Sequence, residues 1–143
     1  MLTDTVADAA AIAHGELRGR YEAALAEVVA TIGAETVVDE TGLDAETVAD
    51  IEAENGDAYT VSDAAAVLAL EDGAPDAEGY LLELRDHLML QMSSAVLDVD
   101  AVAAGLETEL TPREIQQKIE GRQSMTLAEY AEIHRFIAAE NPY

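Results

Sequence analysis

Leu17, Tyr21, Leu25, Val28 and Ile32 recur at spacings of three and four residues. That spacing lays them along one face of an α-helix and does not fit a strand, whose faces alternate every second residue. The same period returns down the chain, and no segment shows the regular apolar–polar alternation of a half-buried strand. The expected fold class is therefore all-α, a multi-helix bundle.

Turn formers and caps divide the pattern. The first helix is expected over Glu16 to Ile32, ended by Gly33, and a short one over Glu35 to Thr41, ended by Gly42. Asp44 is the expected N-cap of a helix running to about Glu54, with Asn55-Gly56 closing it. Thr60 and Asp63 have capping-box spacing and start a helix to about Leu70. Residues 71–76, Glu-Asp-Gly-Ala-Pro-Asp, read as a linker. A long helix follows over about Asp76 to Ser94. Leu84, Leu88, Met89, Leu90 and Met92 make it apolar nearly all round, so it is expected to be central and buried, its methionines filling core. Asp98 and Asp100 sit as caps for a short helix from Val99 to Gly105. Thr111-Pro112-Arg113-Glu114 and Thr126-Leu127-Ala128-Glu129 start the last two helices.

Charge constrains the setting. The 143 residues carry 30 Asp and Glu against 7 Lys and Arg, a net of -23, while half are hydrophobic. Such a charge repels itself at ordinary ionic strength, but the screening length falls to roughly 3 Å at 1 M salt. The acids are interleaved with Val, Leu and Ile and do not form a block, which argues against an acidic tail. A soluble halophilic protein working in molar salt, of archaeal type, is the expected setting. The chain has no Cys, so no disulfide or thiolate metal site is available. The first residues lack a basic leader and carry Asp4 and Asp8, and the apolar run at 88–97 is short and broken by Gln91, Ser93 and Ser94. A cytoplasmic location is expected, with no membrane span.

The chain reads as two halves of one plan, residues 1–73 and 74–143. The segment Leu43-Asp-Ala-Glu-Thr-Val48 precedes Leu110-Thr-Pro-Arg-Glu-Ile115 by 67 residues, and Tyr59-Thr-Val61 precedes Met125-Thr-Leu127 by 66. Two copies are too few for a solenoid, so a tandem duplication around the long apolar helix is expected. The run from Val37 to Glu52, with its Gly42-Leu43 turn and Thr47-Val48-x-x-Ile51-Glu52, resembles the helix-turn-helix core of Cro/C1 repressor-type proteins. Leu110 to Leu127 resembles that family's second helix, loop and next helix start. Taken whole, the chain resembles a haloarchaeal protein family of unknown function.

What the resemblance implies differs between the halves. In the first, burial of Val48 and Ile51 leaves Asp44, Glu46, Asp50, Glu52 and Glu54 outward, and no basic residue lies between Arg20 and Arg85. Such a helix meets phosphate badly, and a structural or protein-binding role is expected. In the second, Arg113, Lys118, Arg122 and Arg135 balance Glu114, Glu120, Glu129 and Glu132 across 110–135. With Ile115 and Ile119 buried, Arg113, Gln117 and Glu120 point outward beside Gln116, and Arg122 and Gln123 follow in the loop. Arg and Gln suit guanine and adenine edges, so the DNA-binding residues expected are Arg113, Gln116, Gln117, Lys118, Arg122 and Gln123. The bland alternative is intrahelical pairing such as Glu114–Lys118.

His14, His87 and His134 lie far apart, with no ligand spacing, and His87 reads as a core-edge residue. No phosphate loop, nucleophile elbow or glycine fingerprint is present. An enzyme, a metal site, a cofactor and a small-molecule substrate are therefore not expected. The expected partner is double-stranded DNA through the second half. The alternative is a degenerate helix-turn-helix module that binds a protein or a second copy of itself and no DNA.

Overall fold

Helices begin where a short polar side chain can take up the free N–H groups of a first turn. The computed structural model describes residues 16–106 and 109–140. Among them lie α1 (Glu16–Ile32), α2 (Ala34–Thr41), α3 (Ala45–Glu52), α4 (Val61–Leu68), α5 (Ala77–Ala95), α6 (Val99–Gly105), α7 (Pro112–Ile119) and α8 (Leu127–Glu140). Thr60 and Asp63 form a full capping box at α4, as do Thr111 and Glu114 at α7. Asp76 and Asp98 cap α5 and α6 through Gly79 N–H and Ala101 N–H. Asp44 differs from expectation: it holds the extended N-cap conformation at α3 but makes no capping hydrogen bond. Helix α3 also stops earlier than expected, because Glu54 turns left-handed at φ 60° ahead of Gly56.

One apolar core serves all eight helices. The first-helix stripe is Leu17, Tyr21, Leu25 and Val29, with Val28 and Ile32 only half-buried. Helix α8 is the hub. It buries Leu127, Ala128, Tyr130, Ala131, Ile133, His134 and Ile137, and packs on α1, α4, α5 and α6. At roughly 1.5–3 kcal/mol for each fully buried large aliphatic side chain, this helix anchors the fold.

The long apolar helix is not the hub. Helix α5 buries only Tyr80, Leu84 and Leu88, a narrow i, i+4, i+8 stripe against its neighbours, while Leu82, Met89 and Leu90 are 56%, 42% and 69% exposed. Apolar residues at consecutive positions wrap the whole circumference, and neighbours cover only one side. Met89 therefore fills no core, Met92 is half-buried, and among the described residues the buried methionine is Met125 in the loop before α8. No single helix among the described residues is long and apolar enough to cross a membrane; α5 and α6 meet that length and composition only as a pair bent by 90°.

The loops before α4 and α8 meet. Thr60 and Thr126 form an isolated antiparallel bridge. Val61 N–H donates to Met125 O at 2.8 Å and Leu127 N–H donates to Tyr59 O at 3.2 Å, so each strand segment gives and receives one bond. The helix ends upstream also match. Asn55 N–H donates to Asp50 O and Arg122 N–H to Gln117 O, while Glu54 and Gly121 both turn left-handed.

Candidate functional site

Helix α7 owes its position to its caps and its two isoleucines. Ile115 and Ile119 are buried, Pro112 occupies the first turn, and the Thr111–Glu114 box satisfies two backbone donors. The Thr111 backbone and side-chain hydrogen bonds, with Lys118 nearby, hold the Glu114 carboxyl below the usual carboxylate range. This register turns Arg113, Gln116 and Glu120 to solvent and leaves Gln117 half-buried. Gln116 Nε2 donates to Glu120 Oε1 at 2.9 Å. Beyond the helix the Gln117 carbonyl accepts both Arg122 N–H and Gln123 N–H, which fixes the loop backbone under two exposed side chains. Arg122 Nε lies 3.5 Å from Glu120 Oε2.

Lys118 has a different task from its neighbours. Its ammonium donates to Ser124 O at 2.9 Å and to Glu129 Oε1 at 3.0 Å, and its side chain is 11% exposed. The same Glu129 oxygen accepts Thr126 N–H. Lys118 thus ties α7 to the start of α8, and its ion pair is with Glu129 where the sequence pointed to Glu114. Of the six residues expected at a DNA surface, Arg113, Gln116, Arg122 and Gln123 are exposed, Gln117 is at the edge, and Lys118 is turned inward.

Helix α3 presents the opposite chemistry. Val48 and Ile51 are buried, Glu46 and Glu52 are exposed, and Asp50 is half-buried. A further carboxylate, Glu22 on α1, is buried, accepting Gly56 N–H from the loop after α3 and pairing with Arg18 Nε at 3.3 Å. Arg18 also reaches Asp57 at 3.0 Å.

Two residues far apart in sequence meet in the core. Tyr21 Oη is 2.7 Å from His134 Nδ1, and His134 Nε2 is 3.1 Å from His87 Nε2. Burial, and secondarily the neighbouring His87, lowers the His134 pKa to about 4. A neutral ring has one N–H. The proton order therefore runs either from Tyr21 through His134 to His87 or the reverse way. Tyr130 closes the cluster, donating its hydroxyl to Leu84 O at 2.9 Å. His14 lies outside the described residues. Among the described residues no group of three or more His, Asp or Glu has the placement to hold a metal ion. Nothing local signals this cluster: its members sit on α1, α5 and α8 and look like separate core residues in sequence.

Arg85 is the other residue that sequence reading passed over. Its guanidinium lies against Gly121, in the space a Cβ there would occupy, so any side chain at this left-handed position, φ 80°, would be strained and would have to displace Arg85. No curated protein and no solved structure matches the chain. Residues 17–140, nearly all of the described helices, match the model of a family of unknown function, DUF5791, and the chain belongs to that family.

Proposed function

We propose that this chain is a helix-turn-helix DNA-binding, transcription-regulator-like module that works in molar salt, with α7 as its recognition helix. On this reading α1–α4 and α5–α8 are two copies of one unit, and only the second has kept a DNA-reading face. The observation that carries it is the outward face of α7. Arg113 and Gln116 are exposed, Gln117 lies at their edge, and Arg122 and Gln123 stand in the following loop. Arg113, Gln116 and Gln117 would reach base edges, and Arg122 would hold a phosphate. Lys118 would position the loop and not touch DNA. Molar salt removes most of the counterion-release drive, so few cations and more base contact are what such a protein needs.

The test is selection from fragmented genomic DNA in about 2 M KCl, with wild type and Arg113→Ala. Wild type should enrich one site class. Arg113→Ala should weaken it by about 1–3 kcal/mol and relax the preference at one base, while Arg122→Ala should weaken all sequences alike. No enriched site from the wild type would sink the proposal.

A second reading is a protein-interaction or structural module without DNA binding. The exposed Leu82, Met89 and Leu90 on α5 favour it, as does the carboxylate face of α3. It predicts that loss of Arg113 changes nothing, while Leu90→Glu abolishes self-association or co-purification.

A further inference from the structure

We propose that the cavity between α5 and the α7–α8 loop is a binding site for a small organic oxyanion, a carboxylate or a phosphate ester, held by Arg85. The cavity measures about 220 Å³, below the usual range for drug-sized ligands, so the ligand is small. Arg85, Lys118 and Arg122 all line it, and no carboxylate does. That is three of the seven basic residues around one hollow in a chain with 30 acids.

The three cations are not equivalent. Lys118 has Glu129, and Arg122 has Glu120 at its back. Arg85 is half-buried and, among the described residues, makes no ion pair and no side-chain hydrogen bond. A guanidinium carries five donors in a flat fork suited to carboxylate or phosphate, and a partly desolvated charge without a counter-charge is costly. A bound anion removes that cost.

The other half of the molecule fills the corresponding place with its own anion. Leu17, Tyr21 and Leu25 on α1 and Tyr80, Leu84 and Leu88 on α5 form buried stripes of identical spacing. Glu22 and Arg85 each follow the middle residue of their stripe. Each reaches the loop after the short helix in front of it: Glu22 takes Gly56 N–H, and Arg85 lies on Gly121. Where the first half places a carboxylate, the second has reversed the charge and left a hollow. Leu81, Leu88 and Met125 also line the hollow, so the ligand carries a short apolar body beside its charged end.

The site stands independently of the DNA reading. The experiment is an amide NMR titration of the full chain with butyrate and, separately, inorganic phosphate, at constant KCl. Saturable shifts confined to Gly121, Ser124 and Met125 are expected with at least one probe. Arg85→Gln should weaken them tenfold or more, and Arg113→Ala should leave them in place. Shifts from neither probe, or equal shifts in Arg85→Gln, overturn the proposal. If Arg85→Gln does not fold by circular dichroism, Arg122→Gln decides, with a several-fold loss expected and no loss overturning it. A third arm adds duplex DNA: if only the duplex gives these shifts, the hollow receives nucleic-acid phosphate and the small-ligand site is wrong.

Discussion

Thr60 and Thr126 pair their backbones across an antiparallel bridge while each also caps the helix that follows it. Two helix starts are thereby joined at one point in the core. The two caps carry unequal loads. Asp63 serves only Thr60 N–H among the bonds at α4, whereas Glu129 accepts both Thr126 N–H and the Lys118 ammonium. Asp63→Ala should cost about 1 kcal/mol, as an ordinary cap does. Glu129→Ala should cost about 2 kcal/mol, since it strands a largely buried cation. Urea unfolding of both variants checks this, and equal costs would show that Lys118 adds nothing.

Left-handed backbone positions give a second comparison. Gly121 has φ 80° and Arg85 over it, whereas Val96 has φ 57° with a β-branched side chain that is 87% exposed. Val96→Gly should stabilise the fold by about 1 kcal/mol, because it relieves a conformation that costs L-residues 1–2 kcal/mol and removes no packing. Gly121→Ala should destabilise by at least about as much. Melting temperatures of the pair moving in the same direction would contradict the argument.

Salt should act on the whole molecule. The net charge of -23 is screened over about 10 Å at 0.1 M salt and about 3 Å at 1 M. The helical circular dichroism signal should melt at progressively higher temperature as KCl rises from about 0.1 M to molar levels. A melting temperature indifferent to KCl would refute the halophilic assignment.

Acid should act through His134. Its folded pKa of about 4 lies below the unfolded value near 6.5. Between those values the unfolded chain holds a proton the native ring refuses, so stability rises with pH across that window and falls as pH drops through it. The contribution present above about pH 6.5 is about 3 kcal/mol, lost by about pH 4. His134→Phe should flatten the pH dependence in that window relative to wild type. An unchanged slope would mean the native ring titrates normally.

Much of this protein is written in near-neighbour terms. The stripe from Leu17 to Leu25, the Thr60, Thr111 and Thr126 caps, and the burial of Ile115 and Ile119 all follow from residues three or four apart. A helix brings such residues together whatever surrounds it. Those features place α7 and turn Arg113 and Gln116 outward. Tertiary structure alone decided which apolar side of α5 is covered, because Leu88, Met89 and Leu90 are indistinguishable until a neighbour packs on one of them. It alone gave Lys118 to Glu129 over Glu114, when both lay within reach of a flexible side chain. It also brought Tyr21 to His134, 113 residues away, and set Arg85 over Gly121 beside an open hollow. Partners across such distances are chosen by how whole helices close on one another, and no local spacing encodes that choice.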